Sequence, residues 1–196
     1  VSDKDSKNGL ILMGIEAVLT GLYLYVLLQK IVSATMSGIN SVFGTSRMAA
    51  QTPSLGGFFG YGIIIAIIVS LVIATLVMGL MKAMAEADIN WFQSCQIAGM
   101  RSLGLSLGWI LGILGLFLGM YQFAILIIVV GGVLGMIYMI VAMMSYPNTK
   151  KDMIAYVVLI TILVATFISY FVLKEFVLSS LINNGGSTTN FLNNIL

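Results

Sequence analysis

Apolar residues in this chain fall in long unbroken runs. From Arg101 to Ser145 the sequence is RSLGLSLGWILGILGLFLGMYQFAILIIVVGGVLGMIYMIVAMMS, with no charge after Arg101. A helix crossing a hydrocarbon core of about 30 Å needs roughly 20 residues. The run is therefore too long for one crossing and suited to two, joined at the polar break Met120–Tyr121–Gln122. The same reasoning places spans at about 10–32, 58–81, 102–120, 122–145 and 153–173. They form one transmembrane domain, 10–181, between a polar lead, 1–9, and a flexible, uncharged tail, 182–196. The fifth span has room to continue to Leu181.

The centre of the second span, IIIAIIVSLVIATLVMGL, is rich in β-branched residues and would suggest a strand in water. In lipid every backbone polar group needs a partner within its own segment, so helix is expected. A β-barrel is excluded because its strands alternate apolar and polar over about ten residues.

Between the spans the pattern changes. Residues 33–57 are rich in Ser, Thr, Gly and Ala, with Arg47 the one charge. They read as an extramembrane loop, or as an interfacial or re-entrant helix using Met36, Ile39, Val42 and Phe43. Residues 82–101 read as a short surface helix that Asp88 or Asn90 would cap. Tyr146–Pro147–Asn148 reads as a turn, because proline disfavours helix at the residue before it.

Composition sharpens the class. The 196 residues are 60% hydrophobic and 8% charged, with a mean hydropathy of +1.09. A soluble domain carries about 25% charged residues. The fold class is an all-α polytopic integral membrane protein of five helices, with a glycine-rich hairpin of spans three and four. VSDKDSKNG is mixed in charge, and the run behind it is too long for the apolar part of a secretory leader. A start at Val leaves room for a preceding segment.

Charge gives an orientation. Five spans put the termini on opposite sides. Lys4, Lys7, Lys82, Arg101, Lys150 and Lys151 fall on one side, and Lys30, Arg47 and Lys174 on the other. The excess of Lys and Arg on the cytoplasmic side of membrane proteins then puts the N-terminus in the cytoplasm and the C-terminus outside, in the cell membrane.

Candidate chemistry is sparse. Glu16 lies inside the first span, about 9 Å past Leu10 at 1.5 Å per residue. A carboxylate there could bind a cation or relay a proton, or it could snorkel to water or pair with a lysine. Lys150 and Lys151 are candidates for lipid-headgroup contact or for setting topology. Tyr23 and Tyr25 sit at a depth that suits interfacial aromatics. No histidine is present, and Cys95 is the single cysteine. That removes the commonest metal ligand, any internal disulfide and any Cys–His nucleophile. Met136, Met139, Met143 and Met144 read as packing residues. No catalytic residue, metal site or cofactor is expected.

The most specific pattern is glycine. Gly104, Gly108, Gly112, Gly115 and Gly119 share one face of the third span, and Gly131 and Gly135 lie in the fourth. Small residues let helices approach closely in lipid. This stripe fits packing of span three on span four, and equally self-association or docking to another membrane protein.

Five spans, a tight hairpin of spans three and four, Trp91–Phe92–Gln93 leading into the third span and Asn148–Thr149–Lys150–Lys151 leading into the fifth together resemble the Yip1 family of small membrane proteins. The resemblance implies a five-span fold and supplies no catalytic residues. The function expected is that of a non-enzymatic membrane scaffold or accessory protein, acting through helix packing and a cytoplasmic face of 82–101 and 146–152. The alternative is a small-solute or ion transporter or channel using Glu16 and polar positions within the spans. The expected partners are the lipid bilayer and a membrane protein or second copy, not nucleic acid.

Overall fold

A computed structural model describes the backbone of residues 3–43, 56–147 and 149–193, with side chains described over most of 7–34, 56–147 and 149–171. Five helices follow in order: α1 (Asp3–Phe43), α2 (Gly56–Ala83), α3 (Trp91–Phe117), α4 (Tyr121–Met144) and α5 (Lys151–Asn193). Each contains a segment long and apolar enough to cross a membrane. The protein is all-α and multi-pass.

Helix α3 is the hub. It packs on α1, α2 and α4, while α5 lies against α2 and touches α4. Its two faces explain this. Ser94, Ala98, Ser102 and Ser106 recur every fourth residue, and all four are buried. Gly104, Gly108 and Gly112 recur with the same spacing, two residues on. Two residues turn a helix by about 200° at 3.6 residues per turn, so the stripes lie on opposite sides. The serine stripe accepts α1 and α2, and the glycine stripe accepts α4.

The hairpin of α3 and α4 is closed by backbone against backbone. A Cβ added to Gly131 would stand 2.7 Å from Gly108 Cα. One on Gly104 would stand 2.6 Å from Gly135 Cα, and one on Gly135 would stand 2.5 Å from Arg101 O. Towards the turn, Gly112 faces Ile128 and Gly115 faces Ala124. The stripe is thus occupied within the chain. Gly119 does not belong to it: no atom outside its neighbours approaches within 4 Å of a Cβ there. Its role is in the turn, which falls at Leu118–Met120, slightly before the expected break at Tyr121. Gly119 has φ +74°. Gly119 N–H donates to Leu116 O at 3.2 Å and Met120 N–H to Gly115 O at 2.9 Å. These two bonds form the Schellman closure of α3, which asks for a left-handed residue. Gly119→Ala should cost about 1 kcal/mol through that conformation alone, read as a lowered unfolding midpoint with an unchanged helical circular-dichroism spectrum.

Glycine pairs also close α1. Gly9 meets Gly99 on α3, where a Cβ on Gly99 would lie 2.6 Å from Gly9 Cα. Gly21 meets Gly62 on α2, where a Cβ on Gly62 would lie 2.8 Å from Gly21 Cα. At the far end of the α1–α3 pair, Lys30 Nζ stands 6.0 Å from the Phe117 ring centroid. The two helices therefore run parallel.

Several expectations need correction. Residues 82–101 are not a surface helix. Residues 84–90 form a non-helical link, and 91–101 are the first turns of α3. That helix starts at Asn90, whose N–H donates to Gln93 Oε1 at 2.8 Å within a capping box. Residues 33–43 are neither loop nor separate helix but the continuation of α1, while 44–55 lie outside the described residues. Helix α5 runs on to Asn193, into the stretch expected as a flexible tail. Tyr23 is buried rather than interfacial, and its ring packs at 4.8 Å on Trp109. Of the four methionines of the fourth span, Met139 and Met143 are buried in the core, whereas Met136 and Met144 are exposed, Met136 at the cavity beside Arg101.

Candidate functional site

Glu16 is the site's centre, and it is neither solvated nor alone. Its side chain is 7% exposed, and Arg101 beside it is 14% exposed. Arg101 Nη2 donates to both carboxylate oxygens, at 3.1 and 3.3 Å. Ser102 Oγ, fully buried, makes a short hydrogen bond to Oε2. Ser70 Oγ, from α2, lies 3.5 Å from Oε2 and 3.4 Å from Arg101 Nη2. One carboxylate, supplied by α1, thus gathers donors from two further helices, α2 and α3.

The pair is enclosed by the helices. Arg101 lies ten residues into α3 from Trp91, and Glu16 lies in the apolar segment of α1. That corrects two expectations. Glu16 is buried in the bundle and pairs with an arginine, not a lysine. Arg101 belongs to a membrane span and not to a surface segment, so it leaves the charge comparison between the two sides.

A buried ion pair in lipid is tolerable only when its charges meet and the remaining hydrogen-bonding capacity is filled. Glu16 satisfies both conditions. Arg101 does not do so fully, because none of the described protein atoms accepts from its buried Nε–H. Arg101 also borders a cavity of about 250 Å³ between α2, α3, α4 and α5.

The other expected site residues fall elsewhere. Lys150 pairs with Glu86, and its N–H donates to Ala85 O at 3.0 Å. The α2–α3 link and the α4–α5 turn are therefore joined on one side of the bundle. Glu86 there holds φ 53°, a left-handed conformation unusual for a side chain larger than glycine. Lys151 is exposed at the start of α5. Beside the turn, burial raises the Tyr146 phenol above its ordinary pKa. Cys95 is fully buried, where its backbone closes on Gly9. Among the described residues no group of three His, Cys, Asp or Glu side chains is placed to hold a metal ion.

Sequence reasoning singled out Glu16 but missed Arg101 as a partner and Ser102 altogether. The signal was the four-residue recurrence Ser94–Ala98–Ser102–Ser106, opposite the glycines. Comparison with family models, with curated proteins and with solved structures returns no match.

Proposed function

We propose that the protein is a non-enzymatic membrane scaffold or accessory protein. It presents one rigid face on the cytoplasmic side, made from residues 84–90 and 145–152. The observation that carries this reading is the tie between the two connections: the Lys150 N–H bond to Ala85 O and the Lys150–Glu86 ion pair. The exposed ion pair adds little stability of its own, but the backbone bond fixes the two segments as a unit. Asp88, Lys151 and Asp152 are exposed on it and offer mixed charge to a partner.

The charge asymmetry supports the orientation without Arg101. Lys4, Lys7, Lys82, Lys150 and Lys151 lie at the end that carries this face, against Lys30 and Lys174 at the other. The N-terminus is then cytoplasmic in a cell membrane. The five-span order and the tight α3–α4 hairpin support a place among Yip1-like proteins. A transporter relaying ions through Glu16 is the weaker reading, because that carboxylate is already filled by Arg101, Ser102 and Ser70.

Photo-crosslinking residues at 88 and 151 test the proposal. A discrete protein adduct is expected from each position in intact membranes; the adduct from position 88 should disappear with Lys151→Glu, and that from position 151 with Asp88→Lys. A reporter at Val133, exposed on α4, should give lipid adducts. If positions 88 and 151 yield no protein adduct, the scaffold reading fails. Cysteine placed at 88 should label from the cytoplasmic side alone, over a low background from buried Cys95.

A further inference from the structure

Past the close approach of Gly135 to Arg101 O, a pocket of about 210 Å³ opens between the two arms of the α3–α4 hairpin, at the end that carries the α4–α5 turn. Gln96, Ile97 and Met100 line it from α3, Ala142 from α4, and Ser145, Tyr146 and Pro147 from the turn. The pocket is polar at one end and apolar at the other. Helix α3 starts at Trp91 and α4 ends at Met144, so Gln96, Ser145 and Tyr146 lie nearer the charged end of the bundle, and Met100 and Ala142 lie deeper. The Gln96 side chain is half-buried and has no hydrogen-bond partner among the described residues. Ser145 Oγ donates to Val141 O at 2.7 Å, so its proton is committed. Met100 is exposed, and it begins an outward stripe of α3 that continues through Leu107, Leu111 and Leu114.

We propose that this pocket holds one phospholipid of the surrounding bilayer, with its glycerol-ester region at Gln96 and Tyr146 and the first part of an acyl chain along Ile97, Met100 and Ala142. The polarity of the pocket changes in the same direction as that of a bilayer, from interface to hydrocarbon. Tyrosine suits that interface, where its ring is apolar and its hydroxyl wet. The stripe headed by Met100 makes the pocket continuous with the apolar surface of a membrane-crossing helix, so a chain enters sideways without crossing water. An ester carbonyl only accepts hydrogen bonds, and a glutamine amide has N–H donors to give. None of the lining residues is charged, so the charge of the headgroup should matter little. Size sets the limit: an apolar cavity of about 150 Å³ accommodates benzene, so about 210 Å³ takes a short length of chain and not a whole lipid. Asp88 and Lys151 lie outside the lining, and the proposal does not rest on the protein contact proposed for them.

The test uses the full chain in mild detergent, titrated with dioleoylphosphatidylcholine, its diether analogue and dioleoylphosphatidylglycerol, and read by native mass spectrometry. One lipid per chain is expected to bind saturably. The two ester lipids should bind alike, and the diether analogue about threefold more weakly, the worth of one neutral hydrogen bond. Gln96→Leu should erase the difference between ester and ether. Ala142→Leu, which fills the apolar end, should lower occupancy about tenfold. Ser145→Leu, at an exposed position of the rim, blocks the other end should the first variant fail to fold. Equal binding of ester and ether lipid by the unaltered chain, a preference for the anionic lipid, or full occupancy in a folded blocking variant would overturn the proposal. So would a photo-crosslinker at position 145 that captures protein and no lipid in intact membranes.

Discussion

Glu16→Gln will destabilise the folded protein in lipid by about 3 kcal/mol, and Arg101→Leu by a similar amount. Each change leaves one buried charge without its partner. A lone charge near a helix centre costs about 3 kcal/mol on insertion scales, and breaking a buried pair costs about 3–5 kcal/mol. Reversible unfolding in mixed micelles should show both deficits as lowered unfolding free energies, because each variant leaves Ser102 and Ser70 facing a broken pair.

Gly104→Ala and Gly131→Ala will each open the α3–α4 hairpin. At both positions the added methyl meets backbone of the opposite helix rather than a side chain that can swing aside. Forced overpacking of this kind typically costs about 1–3 kcal/mol. Gly132→Ala is the matched control, since its methyl would meet only Leu105 Cδ2, at 3.8 Å. It should be neutral or slightly stabilising, because alanine favours helix over glycine by about 1 kcal/mol. If all three variants behaved alike, glycine content rather than close approach would be setting stability.

Hydropathy located the five helices because lipid imposes a minimum length and forbids unpaired backbone. The hairpin and its glycine face followed from the same spacing rule, and residue pairs such as Gly108–Gly131 now give that face its partner. The edges are less legible, and for one reason: in hydropathy a charge reads as a boundary. Arg101 placed the start of the third span at 102, although Asn90 and Gln93 already spelled a capping box eleven residues earlier. A charge ends a span only when nothing inside the bundle neutralises it. Glu16 does so here, from a helix 85 positions away in the chain. Periodicity within one segment cannot reveal that pairing, because it depends on α1 and α3 lying side by side. Ser102 was overlooked for a related reason. A serine in an apolar helix carries no hydropathy signal, and only its recurrence with Ser94, Ala98 and Ser106 marks a packed face.

The most direct measurement is a double-mutant cycle at Glu16 and Arg101, with unfolding free energies determined for Glu16→Gln, Arg101→Gln and the double variant. If the two side chains form one closed, neutral unit joining α1 to α3, the double variant should be destabilised by less than the sum of the single changes, with a coupling of about 2–3 kcal/mol. Additive losses would contradict that unit: Glu16 would then act independently of Arg101.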